Sequence, residues 1–193
     1  MIEQLIELDK ELFIYLNGLG AERWDDFWMF YTTKFNWIPF YVVLVYLMYK
    51  RLNTKMFVLT LVVVALMILF TDQVSNLFKG YFFQRLRPCH DETVMYLMRL
   101  VKPYCGGRFG YFSGHASNSM AVAVFTSFML KSKYKYLPYL MVVWALAMGY
   151  SRIYIGVHFP LDVISGATFG LFSGYIFYRL DKYLQSRFQL KEE

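Results

Sequence analysis

Apolar residues along this chain gather into blocks separated by short charged punctuation. The longest block, Met56–Phe70, carries no charged residue. Continued as a helix to about Leu77 or Lys79, it reaches the ~20 residues that cross a hydrocarbon core. Comparable blocks run from about Trp37 to Tyr49, drawing length from the aromatic stretch Phe27–Phe35, then Gly114–Leu130, Tyr136–Tyr150 and Pro160–Leu180. Residues 1–17 differ. Ile2, Leu5, Ile6, Leu12, Phe13 and Leu16 fall on one face at helical spacing, with Glu3, Glu7 and Glu11 elsewhere. That predicts an amphipathic helix lying in the interface or packed on the bundle. Asn17-Gly18 and Gly20 break it. Asp25-Asp26 start an aromatic helix, and whether this one crosses decides between five and six spans. The expectation is one all-α domain over 1–193, a polytopic membrane bundle of five or six spans. It has an interfacial helix over 1–20, a polar loop over 80–112 and a tail over 181–193.

Composition agrees with the pattern. The 193 residues are 58% apolar and only 18% charged, below the quarter that solvates a soluble domain. A net charge of +6 without a basic tract excludes a nucleic-acid arm, and the apolar content excludes disorder. Four acids and one Lys in the first eleven residues are not the pattern of a cleavable signal. Lys50, Arg51 and Lys55, then Lys131, Lys133 and Lys135, then Arg179, Lys182, Arg187 and Lys191, fall on one side of alternating spans, which predicts a cytoplasmic face. The 80–112 and 151–159 loops then share the outer face, in a bacterial cell the periplasmic side of the inner membrane. Lys79, Arg85, Arg87, Arg99, Lys102, Arg108 and Arg152 crowd that side, a placement that makes sense where something anionic is bound.

Three segments gather there: Lys79 with Arg85-Leu-Arg87-Pro88, then Phe112-Ser113-Gly114-His115, then Ser151-Arg152 with His158 and Asp162. Arg forks and a Lys point charge suit phosphoryl oxygens. Ser113-Gly114 opening a helix offers a hydroxyl and free N–H groups to an anion. Asp162, four residues after His158 with Pro160 between, is spaced to reach back to Nδ1–H. That contact leaves Nε2 as a nucleophile. His115, at an opposing helix start, suits a general acid.

These segments resemble the three signature motifs of the type-2 phosphatidate phosphatase superfamily, which includes membrane lipid-phosphate phosphatases, bacterial acid phosphatases and vanadium haloperoxidases. The resemblance implies a metal-independent lipid phosphatase with no cofactor. It acts on a lipid phosphate or pyrophosphate at the outer face through a phosphohistidine on His158. His115 serves as acid and base, Asp162 orients, and Lys79, Arg87, Ser113, Gly114 and Arg152 hold the phosphoryl group. Two features depart from the pattern. Seven residues rather than six separate Lys79 from Arg87, and one extra residue turns a helix by ~100°. Lys79 is therefore displaced unless the helix ends or bulges, and Arg85 is the alternative cation. Phe112 stands where the second motif begins with Pro. The competing function is a non-catalytic protein that binds or transports anionic lipids in the same pocket.

Other polar residues read more plainly. His90 is structural. Arg85, Arg99, Lys102 and Arg108 suit loop solvation or interface anchoring as well as binding. Asp72, near Ser75 and Asn76, is either a partner to a site cation or a helix-to-helix contact. Cys89, His90, Asp91 and Cys105 match no zinc spacing. The two cysteines fit a bridge on an oxidising face, the alternative being free thiols.

Overall fold

A computed structural model describes residues 2–188 of the chain. Seven α-helices carry the fold: α1 Ile2–Gly18, α2 Asp25–Thr32, α3 Ile38–Tyr49, α4 Thr54–Leu77, α5 Gly114–Leu130, α6 Leu137–Tyr154 and α7 Pro160–Arg187. Among the described residues there is no strand, only an isolated bridge between Leu86 and Phe109 in the loop after α4. Thr54–Phe82 is long and apolar enough to cross a membrane, with a mean hydropathy of 2.3.

The hub is α5. Eleven of its 17 residues are buried, and it packs against α4, α6 and most extensively α7. Glycine explains the close α5–α7 approach. A Cβ on Gly166, Gly170 or Gly174 would collide with the backbone oxygens of Ser113, Ser117 and Ala121 respectively. Small residues one turn apart let two helix backbones touch. The contact ends with Ser113 N donating to the Asp162 carbonyl at 2.9 Å, so the starts of α5 and α7 are locked together. At the opposite end, buried Asp181 of α7 accepts from Thr60 at 3.0 Å and from Gln185 at 2.7 Å, a clamp between α4 and α7.

Two expectations need correction. The aromatic stretch does not lengthen the helix at 37–49, because the chain breaks between α2 and α3. Thr33 and Asn36 side chains donate to the Met29 and Phe30 carbonyls, and Trp37 Nε1 donates to Tyr31 O at 2.6 Å. Those bonds satisfy the end of α2 and close it. The apolar stripe of α1 faces the bundle at Phe13 and Leu16, where Asp9 and Asn17 are buried with it, whereas Ile2, Leu5 and Leu12 of the same stripe are exposed. Finally, α6 continues to Tyr154 and α7 to Arg187, so 181–187 is helix rather than tail. Lys191 lies outside the described residues.

Candidate active site

The α6–α7 connection carries the densest chemistry. Val157 N and His158 N both donate to the Arg152 carbonyl, at 3.1 and 3.3 Å, folding the loop back onto the end of α6. This tight return, helped by Gly156 at φ +83°, turns His158 inward. Pro160 starts α7, and Asp162 in its first turn accepts from Phe159 N at 3.0 Å. The Asp162 carboxylate stands 3.4 Å from His158 Nδ1, and both side chains are buried. Arg152 is 5% exposed; its Nη1 donates to Thr32 Oγ1 at 2.6 Å, while Nε, also buried, has no partner among the described residues.

The first segment reaches the same place from α4. Beyond Leu77 the helix widens into a π turn, Phe78–Phe82, closed by Phe83 N donating to Phe78 O at 2.9 Å. A π turn takes in one more residue than an α turn. The extra residue between Lys79 and Arg87 is thus absorbed locally, and Lys79 Nζ donates to Ser75 Oγ at 3.1 Å, near the start of α5. Arg87 is held by backbone oxygens: Nε donates to Phe109 O at 3.2 Å and Nη1 to Val157 O at 3.3 Å. Gly110 presses against the centre, since a Cβ there would lie 3.0 Å from Asp162 Oδ2 and 3.5 Å from His158 Nδ1.

The second segment begins α5. Ser113 caps it, accepting from Ala116 N at 3.4 Å. Gly114 faces the Ser75 hydroxyl and Lys79 Nζ, which a Cβ would meet at 2.9 and 3.6 Å. His115 lies within electrostatic reach of Arg152, His158 and Lys79. It also lines an apolar cavity of about 350 Å³ between α3, α4 and α5, walled by Leu44, Val64, Ile68 and Val122, with Lys34 contributing to its lining.

The eight residues expected at the site therefore converge. Arg85 does not stand in for Lys79: it bridges Asp162 Oδ1 at 3.2 Å and Asp9 Oδ2 at 2.5 Å. Arg99 pairs with Asp25 at 2.9 Å, and Lys102 and Arg108 lie over the Tyr104 and Phe109 rings. His90 is exposed. Asp72 accepts from Asn118 of α5 at 3.3 Å, a helix-to-helix contact. Cys89 and Cys105 form a disulfide, their Cα atoms 6.0 Å apart. Thr32, Asp9 and Lys34 carry no mark in the sequence, since no spacing ties them to the three segments, and Ser75 stands out there only as a neighbour of Asp72. Burial lowers the His158 pKa well below its ordinary value, and Arg87, Arg152 and Lys79 push it further. Desolvation also lowers Arg87, against the pull of Asp162. Among the described residues no three His, Cys, Asp or Glu side chains are grouped to hold a metal.

The sequence profile of the PAP2 superfamily matches residues 57–186, which contain all three segments. The chain belongs to the PAP2 superfamily. This PAP2 chain is 35% identical over 98% of its length to the lipid A 4'-phosphatase of Bacteroides thetaiotaomicron, covering 84% of that protein. It is 33% identical over 96% to the lipid A 4'-phosphatase of Porphyromonas gingivalis, covering 78%. Its fold is that of the transmembrane PAP2-type phosphatidylglycerolphosphate phosphatase from Bacillus subtilis, with a TM-score of 0.70 at 19% identity over 93% of this chain and 87% of that one.

Proposed function

We propose that this PAP2 enzyme, a lipid phosphatase, hydrolyses a lipid phosphate monoester through a phosphohistidine, with a lipid A-type phosphosugar as its substrate class. One observation carries the reading. Lys79, Arg87 and Arg152 converge on a buried His–Asp pair, yet none of the three makes an ion pair among the described residues. Their hydrogen bonds go to hydroxyls and carbonyls. Arg152 is buried and Lys79 and Arg87 half-buried, and Asp162 and Asp72 act on them without pairing directly, so the arrangement leaves positive charge for an anion to meet.

The chemistry follows. His158 Nε2 attacks phosphorus; the P–N bond forms as the bond to the lipid oxygen breaks, and His115 gives that oxygen its proton. Water then attacks the phosphohistidine, His115 takes the water's proton, and phosphate leaves. Asp162 holds the His158 tautomer and offsets the positive charge of the phosphorylated ring. Lys79, Arg87, Arg152, the Ser113 hydroxyl and the free N–H groups at the start of α5 stabilise the charge on the equatorial oxygens. Five cationic and dipolar donors occupy the place where a metal would need anionic ligands, so the reaction proceeds without one. The cavity beside His115 is apolar and suits the hydrocarbon part of the leaving group.

On this reading the chain makes five crossings, α4 to α7 and α3 lengthened by the 3-10 turn Lys34–Trp37 that abuts it, since α2, at ~12 Å, is too short for a sixth. With 131–135 and the chain's end in the cytoplasm, the site opens to the outer leaflet of a bacterial inner membrane. Phosphate release by purified protein in detergent tests the reading, across lipid A, phosphatidate, phosphatidylglycerol phosphate and undecaprenyl diphosphate. Lipid A is expected to give the highest kcat/KM, EDTA to leave it unchanged, and acid-sensitive phosphoenzyme to be trapped on quenching. Binding of lipid phosphate without release would favour the transport reading instead.

A further inference from the structure

Helix α1 meets the reaction centre along one face. Its buried residues Asp9, Phe13 and Asn17 stand one turn apart. Asn17 Nδ2 donates to the carbonyls of Ile153 at 3.1 Å and Tyr154 at 2.9 Å, at the end of α6. Phe13 packs edge-on against Phe159, ring centres 5.2 Å apart. Asp9 accepts from Leu161 N at 2.8 Å. The helix thus grips the α6–α7 connection on both sides of His158.

Asp9 does more than cap Leu161. Its other oxygen takes one arm of Arg85 at 2.5 Å, and the other arm reaches Asp162 at 3.2 Å. The guanidinium is steadied over the Phe159 ring, 4.2 Å from its centre. Asp162 then meets His158. An Arg85–Asp162 pair alone is neutral; with Asp9 the group carries one net negative charge beneath the imidazole. Asp9 is 3% exposed, and its burial raises its own pKa against the pull of Arg85 and the Leu161 bond. A neutral amide would hold Leu161 N equally well, so packing alone does not call for a carboxylate here.

We propose that Asp9 is a positioning residue for the PAP2 reaction: through Arg85 it holds Asp162 against His158 and keeps that group net negative, stabilising the positive charge of the phosphorylated ring. This rests on the phosphohistidine reading above. His158 is faced by Arg87 from the loop, Arg152 of α6, Lys79 after α4, His115 of α5 and Asp162 of α7, so it is otherwise surrounded mainly by cations.

The experiment compares wild type, Asp9→Asn and Asp9→Glu as full-length protein in detergent, with a lipid phosphate the wild type hydrolyses. Asp9→Asn is expected to lower kcat about tenfold or more with KM within about threefold. It removes a negative charge near His158, so the acid limb of kcat/KM moves to lower pH by about half a unit or more. Asp9→Glu restores both. Wild-type kcat and limb in Asp9→Asn overturn the proposal. So does a fall in kcat with an unmoved limb, which marks a packing role, or an Asp9→Glu variant as impaired as Asp9→Asn. Where Asp9→Asn is not recovered folded, Arg85→Gln decides: the group becomes more negative and the limb moves to higher pH, and a fixed limb counts against the proposal. Failure of the phosphatase reading is separate, since it appears as wild type without phosphate release.

Discussion

His158 is a buried imidazole ringed by three cations, and that setting dictates how it titrates. Burial first, then Arg87, Arg152 and Lys79, hold its pKa well below the ordinary value of ~6.5. On the proposed mechanism the neutral nucleophile therefore persists into mildly acid solution, and the acid limb of kcat/KM is expected below ~6.5. The same shift governs stability. As pH falls below ~6.5 the unfolded chain takes up a proton that folded His158 refuses, so stability drops until the folded group itself titrates. His158→Ala is expected to abolish turnover and to lessen the fall in melting temperature between pH 7 and pH 5. His115→Ala should also abolish turnover, but without preventing formation of phosphoenzyme from a substrate with a good leaving group. Phosphate assays and thermal melts across pH check both, and a His158→Ala variant that turned over would remove the nucleophile assignment.

Among the elements, the α5–α7 contact matters most, because it places Asp162 beside Ser113. Gly166 lies under the Ser113 carbonyl with no room for a Cβ. Gly166→Ala is therefore expected to cost ~1–3 kcal/mol by overpacking. It should also lower activity more than a comparable change at Gly174, whose contact lies two turns from the site. Chemical denaturation and kcat/KM for the two variants decide this. The loop after α4 has little helix to hold it, and there the Cys89–Cys105 bridge ties the segment after Arg87 to the approach to Ser113. Closing a loop with 15 residues between the cysteines is worth ~3 kcal/mol in the chain-entropy picture. Unfolded, unreduced protein should take no maleimide, and two labels after reduction; two labels without reductant would exclude the bridge.

For the molecule as a whole, orientation decides which leaflet supplies the substrate. The basic residues Lys131, Lys133 and Lys135 cluster between α5 and α6, at the end of the bundle opposite the site. In a background with both native cysteines replaced, Lys102→Cys should label with an impermeant reagent in intact cells and Lys133→Cys should not. The reverse pattern would put the site on the cytoplasmic face.

Much of this protein was legible in its sequence because membrane helices and the three segments are local patterns. An apolar block fixes its own helix, as Met56–Phe70 did for α4, and His158-x3-Asp162 is close enough in sequence to meet across the start of α7. Long-range polar contacts have no such local mark. Nothing near Asp9 points to Arg85, 76 residues away, and the apolar stripe of α1 did not mark the carboxylate buried within it. Thr32, which accepts from Arg152 across 120 residues, was equally silent. The extra residue before Arg87 left the position of Lys79 open until the π turn took it up, because helical phase depends on hydrogen bonds that composition does not specify. The sequence by itself determined the all-helical class, the superfamily and the three segments from which the reacting groups are proposed. Only the tertiary structure decided which charges share a counterion, because burial and distance, rather than spacing along the chain, set those energies.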